Sequence, residues 1–333
     1  MTKALTTVGL VLLGLCAASC GPSAAQTQAW APVEVVARPI TVPAQAGALQ
    51  GRVGFVLESP EARFGGLSDL HVFEDGRLLA VTDSGEWLLA ELVFDPATGL
   101  PTDLASARMA LMRDEAGEPF PNKASGDAED LAVLPDGRVA VSFEQTQTIR
   151  IYDLFGAGPL APALAGPPLA EVEGLNPNRG LEALASLPDG DLLIGAELGR
   201  RGAASPVWLL SLDAESPLEP VSRMRTPPGF GLTGWDWDSE RQVLVAVQRF
   251  FAPGFGLRIR LVAAPLPPEG RAFVLEELAA LAPPLPIDNI EGVSIRSVEG
   301  GSRLFLISDD NYSENQQTLL LVFDWIGPPG EPD

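Results

Sequence analysis

The sequence predicts an all-β protein folded as a single β-propeller, with six blades preferred and five as the alternative. Three observations point there. A strand–turn–strand phrase recurs five times along the chain. An apolar third strand follows each copy, as the blades of a propeller require. Glycine (34) and proline (31) are abundant, and no long amphipathic helical pattern competes with them.

The phrase is clearest over Gly180–Gly199. Leu181, Leu184 and Leu187 are apolar on the way in. Pro188-Asp189-Gly190 is a turn, because proline presets φ and glycine accepts a positive one. Leu192–Ile194 is a short apolar return strand. Glu182 stands near the start of the first strand and Glu197 at the end of the second. The other copies run Gly66–Asp83, Asp127–Glu144, Leu232–Gln248 and Ile290–Asp309. Aligned on the turn, their closing polar residues are Asp83, Glu144, Glu197, Gln248 and Asp309. Third strands are expected over Trp87–Phe94, Thr148–Leu154, Val207–Leu212, Leu257–Ala263 and Gln317–Trp325. Arg52–Leu57 reads as an N-terminal strand that completes another blade, since propellers close with strands from both chain ends.

Before the propeller, Lys3 and the apolar run from Leu5 to Leu15 read as a targeting segment, too short for a membrane-spanning helix. Ala17-Ala18-Ser19-Cys20-Gly21 resembles a bacterial lipoprotein signal, which makes Cys20 the lipidated first residue of the mature chain. An ordinary secretory signal cut near Ala24-Ala25 is the alternative. Either reading places the protein outside the cytoplasm, in the periplasm or on the outer surface. The expected division is a signal over 1–19, a tether and irregular lead-in over 20–50, the propeller over 51–327 and a tail over 328–333. Both cysteines, Cys16 and Cys20, fall in the leader, so no disulfide, cysteine nucleophile or thiolate metal site is expected.

Asp plus Glu outnumber Lys plus Arg by 44 to 22, a formal charge of −22. Nucleic acid is therefore not an expected partner, whereas cations are. His71 is the single histidine and lies between apolar neighbours in a strand, which reads as structural. Its isolation excludes a multi-histidine zinc site, and no Gly-x-Ser-x-Gly elbow is present. Carboxylate chemistry is what remains. Glu129, Glu182 and Glu291 occupy one place in three blades. Three carboxylates brought together repel unless a cation or arginine joins them. Oxygen-only ligands suit Ca²⁺ or Mg²⁺. Arg179, three residues before Glu182, has the planar fork that matches a carboxylate or phosphate.

Several phrases resemble one known family. They are Asn178-Arg179-Gly180-Leu181-Glu182-Ala183-Leu184, Asp127-Ala128-Glu129-Asp130-Leu131, Asn289-Ile290-Glu291-Gly292-Val293 and Ile307-Ser308-Asp309-Asp310-Asn311-Tyr312-Ser313. Together they are similar to the phytase-like esterases, "esterase-like activity of phytase". The resemblance implies a propeller and hydrolysis of carboxylic or phosphate esters, by distant likeness to calcium-dependent propeller phytases. The sequence departs from the family pattern at Ser68-Asp69 and Thr233-Gly234, where the leading acid is missing.

The expected site follows. Glu129, Glu182 and Glu291, with Asp309 and Asp310, hold a divalent cation, Ca²⁺ first. Glu182, Arg179, Glu129 and Glu291 carry the chemistry. Arg179, Arg249 and Asn311 bind a small ester or phosphoester. Two strands joined by one turn return the chain to its starting side, which puts both acidic series around one rim. Trp235 and Trp237 read as packing between blades, or as a stacking platform. Two functions are in view: an exported, metal-assisted ester hydrolase attached to the membrane through lipid on Cys20, and a non-catalytic propeller that binds a ligand or protein on its rim.

Overall fold

The repeated phrase folds as expected for a local reason. In the first three copies an Asp-Gly pair closes the hairpin, and Gly76, Gly137 and Gly190 hold φ of +92°, +86° and +94°, where a side chain would be strained. The aspartates lock each turn: Asp75, Asp136 and Asp189 accept the N–H of Arg77, Arg138 and Asp191.

The computed structural model describes residues 29–170, 175, 180–197, 204–214, 218–268 and 270–326. Among them the strands form five antiparallel sheets. Blade 1 runs outward through Leu67–Val72, Arg77–Thr82, Glu86–Phe94 and Pro101–Leu111. Blade 2 is Ala128–Val133, Val139–Phe143, Thr148–Tyr152 and Leu164–Ala165. Blade 3 is Leu181–Ser186, Leu192–Ala196, Ala204–Leu210 and Ser222–Arg225. Blade 4 is Gly231–Asp238, Val243–Ala252, Gly256–Ala264 and Glu276–Leu281. Blade 5 takes Asn289–Val298, Gly301–Asp309 and Leu319–Ile326 from the C-terminal part and Gln50–Glu58 from the N-terminal part.

That last pairing corrects the preferred count of six to five. The strand around Arg52–Leu57 does not start a blade of its own. It pairs with Leu319–Ile326 as the outer strand of blade 5 and closes the ring. The lead-in expected over 20–50 also carries regular structure: Ala31–Pro32 adds to the edge of blade 1 and Val36–Ile40 to the edge of blade 5. The leader, Cys20 and the tail lie outside the described residues.

The apolar core is divided into five clusters, one at each blade–blade interface. Trp235 and Trp237 are buried there, and Trp235 Nε1 donates to the Leu193 carbonyl of blade 3. They pack between blades and form no ligand platform. Each inner strand touches the next, and that of blade 5 returns to blade 1.

Every inner strand is bulged near its start. The register shifts between Leu67 and Asp69, Ala128 and Leu131, Leu181 and Ala183, Leu232 and Gly234, and Ile290 and Gly292. The residues skipped include Ser68, Glu129, Glu182, Thr233 and Glu291. A bulge leaves its extra residue out of the ladder and re-aims its side chain.

Candidate functional site

The bulges and the ends of the second strands meet at one mouth of the central channel. A pocket of about 190 Å³ opens there, lined by Asp83, Lys123, Asp127, Glu129, Glu144, Glu182, Glu197, Arg249, Glu291, Asp309 and Asn311. Two tiers build it. The bulged residues Glu129, Glu182 and Glu291 form one. The residues that close the second strands form the other, opposite the strand entrances: Asp83 and Gly66, Glu144 and Asp127, Glu197 and Gly180, Arg249 and Gly231, Asp309 and Asn289.

In blade 4 the closing residue is thus Arg249, not Gln248. Gln248 pairs with Leu232, is fully buried, and accepts a hydrogen bond from Arg260. Blade 4 lacks the Asp-Gly turn that anchors the count in blades 1 to 3, and the alignment slips there by one residue.

Two described cations divide the mouth between them. Arg249 Nη1 donates to Glu291 Oε1 at 2.6 Å and to Asn289 Oδ1, while Asn289 Nδ2 donates to Glu291 at 2.8 Å. Lys123 sits on the short helix Lys123–Gly126 and donates to Asp83 Oδ2 at 2.8 Å and Asp127 Oδ1 at 2.6 Å. Glu129, Glu144 and Glu182 fall between these two sectors, with no ion pair to a described cation. Carboxylate oxygens of Asp127, Glu129 and Glu144 lie within 4.8 Å of one another. Glu144 and Glu182 are also in contact.

The electrostatics follow from this crowding. Burial first, and neighbouring acids second, push Glu129 and Glu182 well above the usual carboxylate range. Burial raises Glu144 to about 7 and Asp309 to about 8. It raises Glu291 as well, against the opposing pull of Arg249. A divalent cation among these oxygens would favour their ionised forms, and an all-oxygen set suits Ca²⁺ or Mg²⁺.

The structure thus gathers Glu129, Glu182, Glu291, Asp309, Arg249 and Asn311 at one mouth, but in unequal roles. Glu291 is engaged by Arg249 and Asn289. Asp310 lies outside the pocket: its Oδ1 accepts the N–H of Gly66 and Tyr312, and its Oδ2 accepts the Thr318 hydroxyl. It shapes the loop rather than facing a ligand. Arg179 lies outside the described residues. His71 packs edge-on to Phe73 with ring centroids 4.7 Å apart, and burial lowers it to about 4, so it is neutral.

Sequence reasoning missed Asp127 and Lys123, and it placed Glu144 on the rim without counting it among the cation ligands. A signal for Asp127 was present. The entrance position is glycine in three blades (Gly66, Gly180, Gly231) but Asp127 and Asn289 in the other two, and both side chains turn into the mouth's hydrogen bonds.

No curated protein matches the sequence. Among solved structures the chain is similar to a thermostable family-43 glycoside hydrolase, at 10% identity over 82% of this chain and 97% of that one, with a TM-score of 0.49. It is similar to a gluconolactonase from Xanthomonas campestris, at 12% identity over 88% and 97%, TM-score 0.43. It is also similar to an aldose sugar dehydrogenase from Streptomyces coelicolor, at 14% identity over 85% and 99%, TM-score 0.41. Residues 62–312, most of the chain, match a single family throughout. This chain belongs to the phytase-like family, described as esterase-like activity of phytase.

Proposed function

We propose that the channel mouth is the site of a divalent-cation-assisted hydrolase of carboxylic or phosphate esters, with Ca²⁺ as its cation. One observation carries the reading: Glu129, Glu144 and Glu182 crowd together between the sectors that Arg249 and Lys123 neutralise. Family membership supports ester hydrolysis as the reaction class. Glu129, Glu144, Glu182 and Asp127 would hold the cation, a set confined to blades 2 and 3 in place of the trio of bulge glutamates. When bound, it supplies a Lewis acid for the ester oxygen and lowers the pKa of water. Arg249 fixes Glu291 and keeps further N–H donors toward the mouth for a developing oxyanion. Asn311 lines the same opening.

The test is calorimetric titration of the full chain with CaCl₂, followed by a panel of p-nitrophenyl esters and phosphates with Ca²⁺ or with chelator. Hydrolysis that needs the cation and is lost in Glu182→Gln is expected. Hydrolysis that survives chelator or this change would overturn the site. Cation binding without turnover would favour the non-catalytic propeller.

We further propose export, with lipid on Cys20 holding the protein to the membrane. Cys20→Ala should move it from the membrane fraction to the soluble one.

A further inference from the structure

The polar mouth is small, and an apolar arm stands over it. Sites that enclose a whole small molecule measure about 300–1,000 Å³. The mouth measures about 190 Å³ and already has to seat a cation. Only the reacting group of an ester fits inside, so the rest of the molecule lies above the rim.

The surface it meets there is set by blade 4. Its second and third strands, Val243–Ala252 and Gly256–Ala264, pair as far as Ala252 and Gly256. Phe251 and Phe255 at its tip are 68% and 73% exposed. Alternation in the strand decides which way this arm faces. Val245 and Val247 pack against blade 5, and Arg249 on the same face donates to Glu291 in the mouth. Phe251 is the next residue on that face, about 7 Å further along the strand. Leu257, its cross-strand partner, continues the apolar surface. The other face is occupied, with the Phe250 ring tilted against that of Phe230, centroids 5.5 Å apart.

We infer that Phe251 and Phe255 hold the uncharged, apolar acyl or aryl part of an ester whose reacting group enters the acidic mouth. This rests on the proposed hydrolase reading and narrows its substrate class. It selects against polyanionic esters, because a chain of net charge −22 repels added negative charge, whereas a neutral apolar group meets no such penalty. Two phenylalanines this exposed beside a polar site also mark an interaction surface more readily than scattered apolar residues do.

The experiment uses hydroxamates, which chelate a bound cation without being turned over. Acetohydroxamate and octanohydroxamate are titrated into the Ca²⁺-loaded full chain and into a Phe251→Ser/Phe255→Ser variant. The native chain should bind the octanoyl compound on the order of tenfold more tightly than the acetyl one, the equivalent of roughly two fully buried methylenes at about fourfold each on an open arm. The variant should lose that chain-length preference while keeping its Ca²⁺ affinity and its acetohydroxamate affinity.

Equal affinities in the native chain would overturn the inference, as would a preference that survives in the variant. Failure of Ca²⁺ itself to bind would remove the hydrolase reading and this inference with it, and is seen separately in the titration with CaCl₂ alone. If the two changes instead abolish self-association in sedimentation, or binding to neutral phosphatidylcholine vesicles, with no effect on hydroxamates, the arm docks a second copy or a membrane and the inference is wrong.

Discussion

In the floor of the channel, Asp69, Asp130 and Asp236 each reach to the next blade and accept a backbone N–H. Asp69 takes that of Leu131 at 3.1 Å, Asp130 that of Leu184 at 2.8 Å, and Asp236 that of Ile295 at 2.8 Å. In the mouth, one residue back along the same strand as Asp130, stands Glu129. The mouth carboxylates meet mainly each other and two cations. Acids of the same kind, in the same channel, are thus used in two ways. Those of the floor join blades through backbone donors that are always present. Glu129, Glu144 and Glu182 are held close by bulges and strand ends, and none of them forms an ion pair with a described cation. Fold stability is the role of the first group, and ligand capture is the role proposed for the second.

The strongest way to break this comparison is to remove a floor acid. Asp69→Ala strips the acceptor from Leu131 N–H and empties a fully buried place between blades. A buried donor left unpaired costs about 1–3 kcal/mol, so the loss expected is about 2–3 kcal/mol in urea unfolding. Ca²⁺ affinity should stay within about twofold of the native value, since no floor acid reaches the mouth. A variant that binds Ca²⁺ poorly but unfolds normally would reverse the assignment.

Glu182→Gln should behave in the opposite sense. Ca²⁺ affinity falls on the order of 100-fold, at least the loss that follows from disturbing an outer-shell partner of a metal. Without cation, the urea midpoint holds, because burial and the neighbouring acids already favour the neutral carboxyl that glutamine mimics. Calorimetry and unfolding on the same sample check both halves.

Why the two groups were not separable in the sequence is plain from particular residues. Glu129 and Asp130 are adjacent and equally acidic, yet one faces the mouth and the other the next blade. What divides them is the bulge, a register shift that depends on the partner strand. Copy number, the Asp-Gly turns and the return of both acidic series to one rim were readable, because each depends on local order. The count of five was not, since Gln50–Glu58 could pair with the last blade or found another, and only ring closure decides. Gly292 and Gly234 carry a related lesson. A Cβ on Gly292 would meet Asp69 Oδ1 at 2.4 Å, and one on Gly234 would meet the Glu291 carbonyl at 2.3 Å. The missing side chains at these two places make room for an acid of blade 1 and for the backbone of blade 5.

The floor and the mouth also differ in their response to pH once a cation is present. Burial raises Asp69 and Asp236 in the floor to about 7, and Glu144 and Asp309 in the mouth to about 7 and 8. Each therefore sits above its unfolded value of about 4. A carboxyl raised on folding contributes stability that is complete below the unfolded pKa and is lost as pH rises through the folded one. Cation-free protein should therefore become steadily less stable from pH 5 to pH 8. Saturating Ca²⁺ should remove the part due to the mouth and leave the part due to the floor. Urea midpoints across that range, in chelator and in Ca²⁺, separate the two. Equal slopes in both would mean that the mouth acids do not meet the cation.

Asp130→Asn is the mildest change and the most specific. The Oδ1 atoms of Asp69 and Asp130 are buried without a donor from elsewhere in the described structure, and the two carboxyls contact each other. One proton shared between them satisfies both, which makes one member neutral at ordinary pH. An asparagine at 130 supplies the same arrangement permanently: its carbonyl oxygen accepts Leu184 N–H and its amide donates to Asp69. Stability at pH 6 should change by less than about 1 kcal/mol, because a satisfied neutral group replaces another of the same shape. At pH 8, where the native pair is driven toward double ionisation, the variant should be the more stable protein, and the floor's share of the pH slope should shrink. A large loss at pH 6 would mean that Asp130 is needed as a charge, and the floor would then have to be counted with the mouth as part of one ion-binding column.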